Sequence, residues 1–165
     1  MTKSGFLIAK IDADGHQLLC KAIDKKVEET EFHVTMFVFD RALEMYSTLF
    51  TKDASCQKIT PFKAHVTGIR SFAKQNGKMV TALTLEKTAC EEKQKAIIDT
   101  YHLHEGWLSK KYDDGHIFHV TVLEEDIATM EDELPCLQNL RWMVAHKTVF
   151  TFSTWEYSIR DVCMK

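Results

Sequence analysis

The first ordered pattern along the chain, Phe6 to Asp12 (FLIAKID), is a short apolar run closed by a turn residue, and it predicts a strand. The Asp12 to Gly15 turn then leads into Leu19, Ala22, Ile23 and Val27, apolar positions at helical spacing. Phe32 to Asp40 (FHVTMFVFD) reads as a strand running into a polar loop. Asp40 is a good N-cap for a helix whose apolar residues Ala42, Leu43, Tyr46, Leu49 and Phe50 share one face. Gln57 to Phe72 is extended, Asn76-Gly77 is the pair favoured by a two-residue hairpin turn, and Met79 to Leu85 is the returning strand. Thr88-Ala89-Cys90-Glu91 has the form of a capping box and predicts a helix with Ile97, Ile98 and Tyr101 on its buried side, fraying near Gly106. A polar loop, Lys110 to Gly115, precedes a second strand at Phe118 to Asp126 (FHVTVLEED). The acidic stretch from Glu124 to Pro135 has room for a short helix, and Leu137 to Ala145 carries no clear pattern. Val149 to Val162 alternates with a slip near Ser153, as one long bulged strand or two strands joined by a bend would.

The order strand, helix, His-Val-Thr strand thus occurs twice, which predicts an α+β protein of two pseudo-symmetric lobes within a single domain spanning 1–165. Side chains two apart on a strand share a face, so His33 and Thr35 point one way, as do His119 and Thr121, while Val34 and Val120 point into packing. Two such strands side by side bring two proton carriers and two hydroxyl donors around one small volume, an outfit suited to a phosphodiester.

Composition narrows the setting. At 165 residues, with 45% hydrophobic and 27% charged residues, the chain has an ordinary globular make-up. No apolar run approaches the roughly 20 residues of a membrane span, and the N-terminus lacks the features of a signal peptide, so the expected location is the cytoplasm. Five scattered cysteines with no CxxC spacing read as free thiols. A net charge of -3 argues against holding long nucleic acid through a basic stripe, whereas a small nucleotide remains compatible.

A single His-x-Thr is weak, because a chain with eight histidines yields roughly one by chance. Its repetition in matching strand contexts is what carries weight. On these residues the sequence resembles the 2H phosphoesterase superfamily, the LigT-like proteins. The resemblance runs from the first strand (GFLIAKI) through FHVTMF, the middle hairpin (HVTGIRSF) and a long helix to FHVTVL and the closing strand. It implies two lobes of mainly antiparallel sheet with outer helices, and two motifs facing each other across a cleft. His33, Thr35, His119 and Thr121 would be its catalytic set. Relatives of this type include RNA cyclic phosphodiesterases and viral or phage enzymes acting on 2',5'-linked or cyclic oligonucleotides. The implied activity is a metal-independent phosphodiesterase on a nucleotide or short oligonucleotide, with no cofactor and no membrane or long nucleic acid partner, acting as a monomer.

The remaining candidates are weighed against plainer roles. A third tripeptide, His65-Val66-Thr67, precedes the hairpin and reads as a partly exposed strand histidine. Phe6, Trp107, Tyr112, Trp155 and Tyr157 stand near strand ends and qualify by position for base stacking, with Trp107 equally suited to the core. Lys10, inside an apolar strand, is either an edge-solvation device or a phosphate contact, and Arg70 is a weaker candidate. His102, His104 and His116 lack spacings that complete a metal site with His119. His16 and His146 read as surface residues. The alternatives to catalysis are a nucleotide-binding sensor or scaffold module that uses the same cleft, and a structural interaction domain with fortuitous motifs. Retention of both histidines and both threonines counts against the first of these, since holding phosphate requires donors but no matched acid and base.

Overall fold

The computed structural model describes residues 2–39, 59–73, 77–103, 117–126 and 134–162. The helix expected after Asp40, the Asn76 turn residue, the 110–115 loop and the side chains of Trp107 and Tyr112 lie outside them.

The first strand, β1 (Thr2–Ile11), is longer than its apolar run because β6 (Val149–Val162) pairs along it from Thr2–Val162 to Ile11–Phe152. Asp12 then caps α1 (Ala13–Ile23), its carboxylate accepting the Gly15 N–H at 2.9 Å. Asp24 ends the helix in a left-handed conformation (φ 54°), with its N–H bonded to the Cys20 carbonyl. Val27, expected on the buried helical face, therefore begins a 3-10 turn and is exposed. The strand β2 (His33–Phe39) follows, and β3 (Phe62–Ala73) and β4 (Lys78–Leu85) form the expected hairpin.

The second helix, α2 (Lys87–Tyr101), begins before the Thr88 capping box, so Thr88 lies inside it. Glu86 occupies the cap position but does not cap. Its carboxylate instead accepts the His65 backbone N–H at 3.2 Å and lies 3.1 Å from His65 Nδ1. Strand β5 (His119–Asp126) is the second motif strand, and α3 (Leu134–Ala145) occupies the stretch that lacked a clear pattern. Pro135 is tolerated there because it falls in the first helical turn.

The six strands close into one ring in the order β1-β2-β5-β4-β3-β6, with every pair antiparallel. Two three-stranded halves make up this ring. In the first, β1 lies between β2 and β6; in the second, β4 lies between β5 and β3. Their irregularities match. Ile8 pairs with Thr35 and Leu7 with Phe37, leaving Met36 as an extra residue; Ala82 pairs with Thr121 and Thr81 with Leu123, leaving Val122. On the other side of each central strand, Ser153 is skipped between Phe152 and Thr154, and Thr67 between Val66 and Gly68. The slip expected near Ser153 is thus a bulge within one continuous strand. Four bulges in two matching pairs establish the pseudo-symmetry of the α+β fold.

Among the described residues, the three helices cover one side of the ring. Leu19 and Ile23 of α1, Cys90 and Ile97 of α2, and Leu140 and Met143 of α3 join Leu7, Ala9, Val34, Leu83, Val120 and Phe152 in one buried cluster. The opposite side of the strands stays partly open, and it is there that the motif side chains lie. No helix among the described residues is long and apolar enough to cross a membrane.

Candidate active site

The two halves meet at a narrow seam between β2 and β5, where Val34 pairs with Val120. Both valines are fully buried on the helix-covered side. Extending this antiparallel register by one residue each way sets His33 opposite Thr121 and Thr35 opposite His119. The four motif residues therefore form a compact quartet on the open face. The two histidines stand on its diagonal, about 7–8 Å apart by the spacing of such pairs.

The imidazoles are held differently at Nδ1, His119 by a hydrogen bond and His33 by charge. His119 Nδ1 lies 3.0 Å from the carbonyl of Ile117, and because a carbonyl only accepts, Nδ1 carries the hydrogen. His33 Nδ1 lies 3.4 Å from a carboxylate oxygen of Glu31, again two residues earlier and again an acceptor. For His119 this leaves Nε2 free to meet a ligand. Each threonine directly precedes a bulge, and the first bulge is anchored, with Gln94 of α2 donating to the Met36 carbonyl at 2.6 Å.

Around the quartet, the face is continued by residues paired with it. Lys10 stands opposite His33, Ile8 opposite Thr35, and Phe6 opposite Val38. From β6, Thr154, Glu156 and Ser158 complete the rows. Lys10 Nζ is 2.7 Å from Glu156 and 3.9 Å from Glu31, and the hydrogen bond to Glu156 leads the causes that raise its pKa. In the second half, Thr84 stands opposite His119 and Ala82 opposite Thr121, and Gly68, Arg70 and Phe72 of β3 complete the rows. Thr84 shares a 2.9 Å hydrogen bond with Thr67, and the ring of Phe72 meets His119 edge-on at 5.8 Å.

Of the stacking candidates, Phe6 is on this open face and half-buried, whereas Trp155 and Tyr157 are not available. They are 7% and 6% exposed and belong to the helix-side core, Trp155 against Phe62 and Tyr157 against Phe39. The cause is the Ser153 bulge, which resets the alternation so that Thr154, Glu156 and Ser158 take the open side. Gly5 makes room for the Tyr157 ring, since any Cβ there would collide with it. His65 lies where β3 pairs with β6, opposite Val149, and is tied to Glu86. Two residues that the sequence reading passed over, Glu156 and Phe72, stand in the site. The bulge at Ser153 was the signal for Glu156, and alternation from Gly68 through Arg70 was the signal for Phe72.

Among the described residues no three His, Cys, Asp or Glu side chains cluster as ligands for a cation. Cys20, Cys90 and Cys136 are free thiols. At the level of sequence, no family model and no curated protein matches the chain.

Solved structures do match it. Kluyveromyces marxianus Usb1 superposes with a TM-score of 0.52 at 11% identity, over 95% of this chain and 94% of that one. The chain has the fold of Usb1. A second structure, Usb1 from the same organism with uridine monophosphate, gives a TM-score of 0.53 at 12% identity over 94% and 93% of the two chains. The six antiparallel strands and outer helices are therefore a LigT-like α+β fold, and the quartet occupies the open face of that Usb1-like framework.

Proposed function

We propose that the protein is a metal-independent phosphodiesterase acting on a nucleotide or short oligonucleotide. The observation that carries this reading is the Val34–Val120 seam, whose register sets His33, Thr35, His119 and Thr121 into one quartet, with Glu31 beside one histidine and the Ile117 carbonyl holding the other. A binding site needs donors alone. Two imidazoles on opposite corners of the quartet supply a base and an acid as well.

In the reaction, the Nε2 of one neutral histidine takes the proton from the attacking oxygen, either water or a neighbouring ribose hydroxyl. A new P–O bond forms as the other, protonated histidine gives its proton to the leaving oxygen and the scissile P–O bond breaks. Thr35 and Thr121 donate to the non-bridging oxygens as charge gathers there. Phe6 offers an aromatic face at the first-half rim, and Lys10 reaches a phosphate by exchanging its Glu156 partner. The fold shared with Usb1, one structure of which holds uridine monophosphate, supports a nucleotide as the ligand.

The test is a screen of 2',3'-cyclic nucleotides, 2',5'- and 3',5'-linked oligonucleotides and cyclic oligonucleotides, in chelator, with products identified by mass. Cleavage of one class at the phosphodiester is expected. Tight binding without turnover of any of them would make the protein a nucleotide sensor instead.

A further inference from the structure

The pseudo-symmetry allows each open-face position of one half to be matched with its counterpart in the other. The catalytic positions are the same in both, but their surroundings differ. Lys10, paired with His33, corresponds to Thr84, paired with His119. Glu156, opposite Ile8, corresponds to Arg70, opposite Ala82, and Ser158 corresponds to Phe72. Acid and base chemistry requires no such difference. A substrate whose two ends differ in chemistry does.

Beyond the scissile phosphate that Lys10 can reach by exchanging Glu156, the first half is closed to further negative charge. Its cation, Lys10, is already held by Glu156 and Glu31, and those carboxylates repel an additional phosphate. The second half has the opposite character. Arg70 is exposed, and among the described residues no carboxylate is paired with it. The acid on the same side, Glu124, is one row further along, opposite Val80. Arg70, Ala82 and Thr121 lie in one row across three strands, so Arg70 stands about 10 Å from Thr121 by strand spacing, with the buried Ala82 between. Beside it, Phe72 is 36% exposed and touches His119 with its ring at 82° to the imidazole. A flat apolar ring next to the catalytic histidine, followed by an exposed guanidinium, is a place for a base and then a phosphate.

From this asymmetry we infer that Phe72 and Arg70 form a subsite for the nucleotide adjoining the scissile bond, with Arg70 holding a second, non-scissile phosphate. The substrate is then an oligonucleotide rather than a mononucleotide, and its uncharged sugar end lies on the Lys10–Glu156 side. This rests on the phosphodiesterase reading for the position of the scissile phosphate, but its test is a binding measurement that needs no turnover.

The probes are a nucleoside monophosphate and a dinucleotide bearing two phosphates, titrated by calorimetry against the wild-type protein, Arg70→Gln and Phe72→Ala. Both substitutions are at exposed positions, and circular dichroism checks that the fold is kept. The wild type is expected to prefer the dinucleotide by about tenfold or more, and Arg70→Gln to remove most of that preference and flatten its salt dependence. Phe72→Ala should weaken dinucleotide binding by about tenfold, as loss of one stacked base does. An unchanged preference in Arg70→Gln overturns the subsite, even if histidine substitutions abolish cleavage. A lost preference supports it, even if no cleavage is found, in which case only the catalytic reading fails.

Discussion

Gln94 is the residue through which a helix sets the geometry of the first motif, and replacing it separates position from chemistry. Its side-chain amide donates to the carbonyl of Met36, the extra residue of the bulge directly after Thr35, at 2.6 Å. Met36 is fully buried, so Gln94→Leu leaves its carbonyl without this donor while keeping a side chain of similar bulk. A buried acceptor deprived of its partner costs about 1–3 kcal/mol. For a chain of this size each kcal/mol moves the melting temperature by about 2–4 °C, so a fall of about 5 °C is expected in thermal unfolding followed by circular dichroism. Freed from α2, the bulge no longer holds Thr35 in its row with Ile8, and turnover should fall several-fold with little change in KM. A melting temperature within about 1 °C of wild type would refute the claim that α2 clamps this bulge.

Two further outcomes follow from the charges and burial. Lys10 and Glu156 are 29% and 50% exposed, and such a pair is worth about 0.2–1 kcal/mol, so Glu156→Gln should free Lys10 for phosphate and lower KM by up to about fivefold, while Lys10→Gln should raise it. Equal increases in KM from both variants would mean that the pair is a brace rather than a reserve of charge. Burial, followed by the Glu86 and Glu91 charges, pushes the Cys90 thiol from 9.0 up to about 12. Its thiolate is then only about one part in ten thousand at pH 8, and iodoacetamide should label Cys90 only on unfolding. The folded state binds this proton more tightly than the unfolded chain does. The resulting stability is therefore complete below about pH 9 and lost as pH rises towards 12, and an alkaline melting series on Cys90→Ala should show a smaller loss than wild type.

The repeated strand, helix, motif-strand order was legible because it depends on short-range pattern: Asp12 caps α1, and each His-Val-Thr alternates about a buried valine. The partners of the ring were not, since the pairing of β2 with β5 joins segments more than 80 residues apart and leaves no local trace. Trp155 and Tyr157 were misread for a more instructive reason. The slip near Ser153 was visible, but its consequence, that alternation restarts beyond it, decides which residues face the site. The apparent capping box at Thr88 was outweighed by a tertiary contact, because Glu86 turns to His65 and the helix begins earlier. Lys10 was legible as an anomaly in its strand, but the carboxylates that occupy it come from β6 and the segment before β2.

The most direct test of the two-histidine account is the single-turnover rate of His33→Ala, His119→Ala and His65→Ala on the same substrate, with folding checked for each. General acid and base each contribute on the order of a hundredfold or more, so His33→Ala and His119→Ala should each lose at least that. His65, tied to Glu86 away from the seam, should change the rate by less than about threefold. A loss from His65→Ala equal to that from His119→Ala, or near-normal rates in either His33→Ala or His119→Ala, would contradict the account.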